Sequence, residues 1–112
     1  MEYKIQGVIV PILTLYHPSG SLDRPAMQAL VDFLIARGVH ALFAGGTTGE
    51  GPLLTLSERM ELAEVTVDAA HGRVPVIVHA GAITTADTIA LTRSPTSGYA
   101  TSASRVSATP FE

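Results

Sequence analysis

The chain has 112 residues, 46% of them hydrophobic and 15% charged, with no cysteine and a formal net charge of −3. That composition excludes a wholly disordered chain, a disulfide framework, a thiolate nucleophile and cysteine-ligated zinc or iron–sulfur sites. A mildly acidic chain with scattered arginines offers no basic stripe for nucleic acid, and its most apolar stretch, residues 7–15, is far shorter than the roughly 20 residues that span a bilayer.

The first residues, Met1-Glu2-Tyr3-Lys4, lack the basic and apolar regions of a signal peptide, so the expectation is a cytoplasmic, soluble protein. Residues 7–14 (GVIVPILT) read as a buried strand in which Pro11 removes one ladder donor. Residues 16–23, with Pro18, Ser19 and Gly20, form a loop by turn chemistry. Met27, Leu30, Val31, Leu34 and Ile35 then recur at helical spacing on one face, with Pro25 in the first turn and Gly38 as a left-handed stop.

This cycle repeats twice. Residues 40–44 (HALFA) form a second apolar strand, and Thr55-Leu56-Ser57-Glu58 has the form of a capping box opening a helix that Gly72 closes. Residues 74–80 (VPVIVHA) make a third strand, after which Thr84 and Asp87 cap a third helix. Strands apolar on both faces, alternating with helices of about 13 to 16 residues, specify βαβ units and a parallel sheet, hence an α/β fold. After Arg93 the pattern fails: residues 94–110 hold eight Ser or Thr among 17, with Pro95 and Gly98 where the third helix should continue. That segment reads either as a flexible tail or as a disrupted fourth βα unit.

Chemistry concentrates in Gly45-Gly46-Thr47-Thr48-Gly49-Glu50, at the C-terminal end of the second strand, where α/β folds place their sites. Glycines there permit close approach of a ligand to backbone N–H groups, and two adjacent hydroxyls add donors suited to a small carboxylate or phosphate. The same composition also suits a tight turn whose threonines satisfy loop backbone groups. A Walker A loop is excluded because Lys4 is the only lysine, and no acidic ribose ligand follows at dinucleotide-fold spacing. His17, His40 and His71 show no metal-ligand spacing, and His79 reads as a packed or loop-bonded histidine. Glu58, Glu61, Glu64 and Asp68 read as a solvated helix face.

GVIVPILT, PSGSLD, GGTTGEGPLLTLSER and RVPVIVHAGAITTADTIALTR resemble, in order and spacing, the first three βα units of the dihydrodipicolinate synthase / N-acetylneuraminate lyase family. The resemblance implies a partial TIM (β/α)8 barrel of the first three to four units, with residues 1–93 as its N-terminal part and 94–112 as an aberrant tail. It implies a Schiff-base lyase or aldolase acting on pyruvate or another 2-oxo acid, with no further cofactor and with homo-oligomerisation at full length. By that resemblance Thr47 is the catalytic proton-relay hydroxyl, Thr48 holds the pyruvate carboxylate, Gly46 and Gly49 shape the loop, and Glu50 braces it. Thr47-Thr48 resembles the synthase and sugar-acid aldolase members more closely than the sialic acid lyases.

Other family positions are altered. Thr14-Leu15-Tyr16 stands where a T-P-F-like sequence is usual, and Ala108-Thr109-Pro110-Phe111-Glu112 resembles the end of a fourth strand without its tyrosines. An imine requires a primary amine, and Lys4 matches no family catalytic position; arginine cannot substitute. A complete barrel takes about 250 residues. The sequence therefore predicts a truncated chain that does not catalyse the family reaction. The competing expectation is a non-catalytic module that binds small carboxylates or assembles with a partner.

Overall fold

The computed structural model describes residues 5–93. Lys4 and the Ser/Thr-rich segment 94–112, including the fourth-strand-like ending, lie outside the described residues. Three short strands, β1 (Ile9–Pro11), β2 (Ala41–Ala44) and β3 (Val76–Val78), form one parallel sheet in the order β1-β2-β3. Three helices, α1 (Arg24–Ala36), α2 (Leu56–Ala70) and α3 (Thr85–Thr92), connect and follow them. This is the alternation that the apolar periods specify.

Register explains where the core lies. Val10, Leu42 and Val76 stand abreast, as do Ala44 and Val78 one step further on. These residues join Ile12, Met27, Val31, Leu62, Val65 and Ala69 in the hydrophobic layer between sheet and helices. Met27 and Val31 are fully buried, and Leu30, Leu34 and Ile35 pack against the same core. The helical face read from the sequence is therefore the buried face of α1.

The other sheet face is uncovered among the described residues. Ile9, Pro11 and Leu13 are exposed, and Phe43 and Ile77 are half-buried. β1 thus departs from the buried strand expected of its composition: among the described residues it is an edge strand paired only with β2. Its proline is placed accordingly. Ile12 donates its N–H to the Phe43 carbonyl at 2.9 Å, so alternation turns the donorless Pro11 nitrogen to the open edge, where no ladder bond is lost.

Helix ends follow their caps. Asp23 accepts from the Ala26 N–H at 3.0 Å, Pro25 occupies the first turn, and Gly38 lies beyond the end with φ +89°. The Thr55–Glu58 capping box is reciprocal, with Glu58 N–H to Thr55 Oγ1 at 3.1 Å and Thr55 N–H to Glu58 Oε1 at 2.9 Å. α2 ends at Ala70, its cap His71 already left-handed at φ +50° and the expected Gly72 following at +72°. Thr84 caps α3 through the Asp87 N–H at 3.1 Å. α3 spans 8 residues, shorter than the other two. On the outer surface Arg24 reaches Glu61 at 3.3 Å, and Arg73 reaches Asp32, joining α1 to α2 and the turn after it. Of the expected solvated acidic face, Glu64 and Asp68 are exposed, whereas Glu58 caps and Glu61 pairs.

Candidate functional site

The Gly45–Glu50 segment leaves β2 at its C-terminal end and folds back on itself. Glu50 donates its N–H to the Thr47 carbonyl and Gly51 to the Gly46 carbonyl, both at 3.0 Å. Gly45 takes φ +75° and Glu50 the left-handed φ +57°. The Glu50 carbonyl accepts from Leu53 N–H at 2.9 Å in the 3-10 turn Gly51–Leu53 that leads into α2. Glu50 therefore braces the loop through its backbone, as expected in role, while its carboxylate stays exposed.

Close approach accounts for the glycines. A Cβ on Gly46 would strike the Phe43 ring, and one on Gly49 would lie 3.0 Å from the Ile12 carbonyl oxygen and 3.2 Å from Thr14 Oγ1. A Cβ on Gly51 would run into the Gly45 carbonyl, which is backbone and cannot move aside. Gly51 was not singled out by the sequence reading. Its signal was a fourth glycine, directly after Glu50.

Thr47 and Thr48 sit exposed at the tip, between buried Gly46 and Gly49. Among the described residues neither threonine hydroxyl nor either N–H has a hydrogen-bond partner. The threonine hydroxyls therefore satisfy no loop backbone group among the described residues. That task falls to Thr14, on the β1 side, whose buried hydroxyl donates to the Gly49 carbonyl at 2.5 Å. The structure brings Gly46, Thr47, Thr48 and Gly49 together on one loop that presents two hydroxyls and two N–H groups outward. Those are the donors a small anion requires.

A second polar cluster adjoins it. Arg59, only 7% exposed, extends from α2 to the chain leaving β3. Its guanidinium donates to the carbonyls of His79 at 2.6 Å and Gly81 at 2.8 Å, and lies 3.1 Å from His79 Nδ1. Facing a donor-only guanidinium, Nδ1 acts as acceptor, which assigns the imidazole proton to Nε2. Burial holds the His79 imidazole below its ordinary pKa, and the Arg59 charge lowers it further. Burial also lowers the Arg59 pKa, from a value high enough that the group stays charged. His79 also stands edge-on to Phe43, ring centroids 6.0 Å apart. Of the packed or loop-bonded histidine expected, the packed form is found, with Arg59 of α2 and Phe43 of β2 against the ring. Arg59 was missed: an arginine following a helix cap looks like any surface cation until the fold turns it inward.

An open crevice of about 690 Å³ lies between the start of α2 and the start of α3, bordered by Thr55, Arg59, His79, Gly81 and Asp87. Thr47 and Thr48 are not part of it. Nearby, burial raises the Tyr16 phenol pKa, and the Glu50 and Glu58 carboxylates raise it further. Among the described residues no group of three acidic or histidine side chains could hold a metal ion, and no helix is long and apolar enough to cross a membrane.

A parallel β/α sheet with a glycine-bounded hydroxyl loop at the C-terminal end of its middle strand defines the N-terminal part of a TIM-barrel protein. The chain belongs to the Dihydrodipicolinate synthetase family, whose profile matches residues 4–111. It is 46% identical over 89 residues to a 4-hydroxy-tetrahydrodipicolinate synthase of Azoarcus sp. strain BH72, covering 80% of this chain and 30% of that protein. A probable 2-dehydro-3-deoxy-D-pentonate aldolase of Escherichia coli K12 is 41% identical over 88 residues, covering 79% of this chain and 29% of that one. Among solved structures, Proteus mirabilis N-acetylneuraminate lyase superposes with TM-score 0.77 at 37% identity, over 81% of this chain and 31% of that one. The Acinetobacter baumannii dihydrodipicolinate synthase complexed with pyruvate gives TM-score 0.79 at 32% identity, over 86% and 33%. The chain thus spans about 30% of the length of the curated relatives it matches.

Proposed function

We propose that this chain carries the 2-oxo-acid-binding loop of a Schiff-base-forming lyase or aldolase, with pyruvate or a close relative as substrate. The observation that carries the reading is the Thr47–Thr48 tip, whose hydroxyls and N–H groups have no partner among the described residues. Family membership supports it, as do two structural neighbours described as complexes with pyruvate. In this reading the Thr48 hydroxyl and N–H hold the carboxylate, where oriented donors neutralise its charge. Where an amine completes the site, the Thr47 hydroxyl would pass protons to and from the carbinolamine oxygen. Gly46 and Gly49 keep the loop low enough for the ligand to approach its backbone.

Imine formation itself needs an amine in the site. Lys4 is the only lysine among the 112 residues, and no described residue offers one. We therefore read the 112-residue chain as binding 2-oxo acids without forming the covalent adduct. That makes a non-catalytic carboxylate-binding module the second reading. The family match running on to residue 111 supports taking 94–111 as family sequence in altered form.

Titrating pyruvate into the purified chain by calorimetry, with and without borohydride, separates these readings. Saturable binding that Thr48→Val abolishes, with no borohydride-stable adduct by mass spectrometry, is the expected result. An adduct on Lys4 would overturn the non-covalent reading, and absence of binding would overturn the loop assignment.

A further inference from the structure

We infer that Thr14 is the positioning residue of the Thr47–Thr48 loop, an inference that rests on the 2-oxo-acid reading of that loop. Two of the bonds that shape the loop, Glu50 N–H to Thr47 and Gly51 N–H to Gly46, lie within it or at its exit. They fix its curvature but not its placement over the sheet. The Thr14 hydroxyl donates to the Gly49 carbonyl across 35 positions of sequence, at 2.5 Å, with Thr14 only 8% exposed. Among the described residues it is the one side chain hydrogen-bonded to the 45–50 segment.

The fit around it is close on every side. The Gly49 Cα faces the Ile12 carbonyl and Thr14 Oγ1 so nearly that a methyl would be 3.0 and 3.2 Å from them. The end of β1 and the loop after β2 are thus held in contact by a missing Cβ and a single hydroxyl. Two hydroxyls at the tip remain available to a ligand because a third, from the neighbouring strand, satisfies the loop carbonyl. Thr14 acts through Gly49 and does not itself reach the exposed tip. Its loss should move binding by displacing Thr48 from its ligand, with the fold intact.

The test compares Thr14→Val, which keeps the shape without the hydroxyl, with Thr14→Ser, which keeps the hydroxyl, in the full 112-residue chain. Nuclear magnetic resonance reads amide hydrogen exchange at Glu50 and Gly51, the two hydrogen-bonded amides of the loop, and the amide shifts of Thr47 and Thr48 during pyruvate titration. Thr14→Val is expected to speed loop exchange and weaken pyruvate about tenfold each, as one lost buried hydrogen bond implies, while amides of α1 and β2 stay as in the parent. Thr14→Ser is expected to restore both. Unchanged loop exchange in Thr14→Val, or equal damage in Thr14→Ser, overturns the inference. Should Thr14→Val not fold, Gly49→Ala wedges the same contact apart, and parent-like loop exchange in that variant overturns it equally. If pyruvate leaves the parent spectrum unchanged, the 2-oxo-acid reading fails, whereas the exchange comparison still decides what Thr14 does.

Discussion

Replacing Arg59 with leucine removes a buried cation that ties α2 to the chain after β3. Three contacts disappear: donations to the His79 and Gly81 carbonyls at 2.6 and 2.8 Å, and the approach to His79 Nδ1 at 3.1 Å. Withdrawing the Arg59 donor from each of two carbonyls costs about 1–3 kcal/mol where they are desolvated, less where the opened crevice admits water. Part of that returns, because Arg59 Nε is buried with no partner and its burial penalty is relieved by an apolar side chain. The balance is a loss of about 2 kcal/mol, or roughly 10 °C in Tm for a domain of this size. A second readout isolates the electrostatic part. Burial is the larger cause of the depressed His79 pKa and the Arg59 charge the smaller, so Arg59→Leu should raise that pKa while leaving it below the ordinary value. Calorimetry and a histidine-resolved magnetic resonance titration measure the two. An unchanged Tm together with an unmoved His79 titration would refute the argument that Arg59 organises this corner.

Thr55→Ala breaks both halves of the capping box and should cost about 1 kcal/mol, read as a lower denaturant midpoint with unchanged slope. Gly51→Ala forces a methyl onto the Gly45 carbonyl and should displace the whole 45–51 loop, abolishing any response of the Thr47 and Thr48 amides to pyruvate. Acid should destabilise the chain in two stages. His79, Asp32 and Glu58 all have folded-state pKa values below their ordinary ones, so each contributes stability above its unfolded pKa that is lost as pH falls through the folded one. Loss should begin below the ordinary histidine value of 6.5 and resume in the carboxylate range, and His79→Gln should flatten the first stage in melting curves taken from pH 8 to pH 4.

Local signals predicted the elements well because each is a short-range physical effect. Helical spacing of Met27, Val31 and Leu34, the Asp23 and Thr55 caps and the left-handed Gly38 depend on neighbours within one or two turns. The loop at the end of β2 was legible for the same reason, its glycines lying between a strand and a helix cap. What the sequence concealed depends on distant partners. Nothing local to Thr14 points to Gly49, and nothing near Arg59 points to the carbonyls of His79 and Gly81. The exposure of β1 was hidden likewise, since a β-branched run has the same composition at a sheet edge as at its centre. Helix α2 closes at its expected Gly72, but nothing in the sequence marked His71 before it as left-handed too.

The outward-turned Pro11 gives the sheet a direction of growth. Strand addition requires a continuous row of donors and acceptors on the receiving edge, and on β1 that row lacks the donor of Pro11. The outer edge of β3, Val76–Val78, contains no proline and, among the described residues, presents an unbroken row. Chains stacking edge to edge in a parallel series would have to join the interrupted side of one to the complete side of the next, so every junction would inherit the defect. A single imino acid thereby disfavours open-ended polymerisation of the sheet while leaving one edge competent to receive a strand.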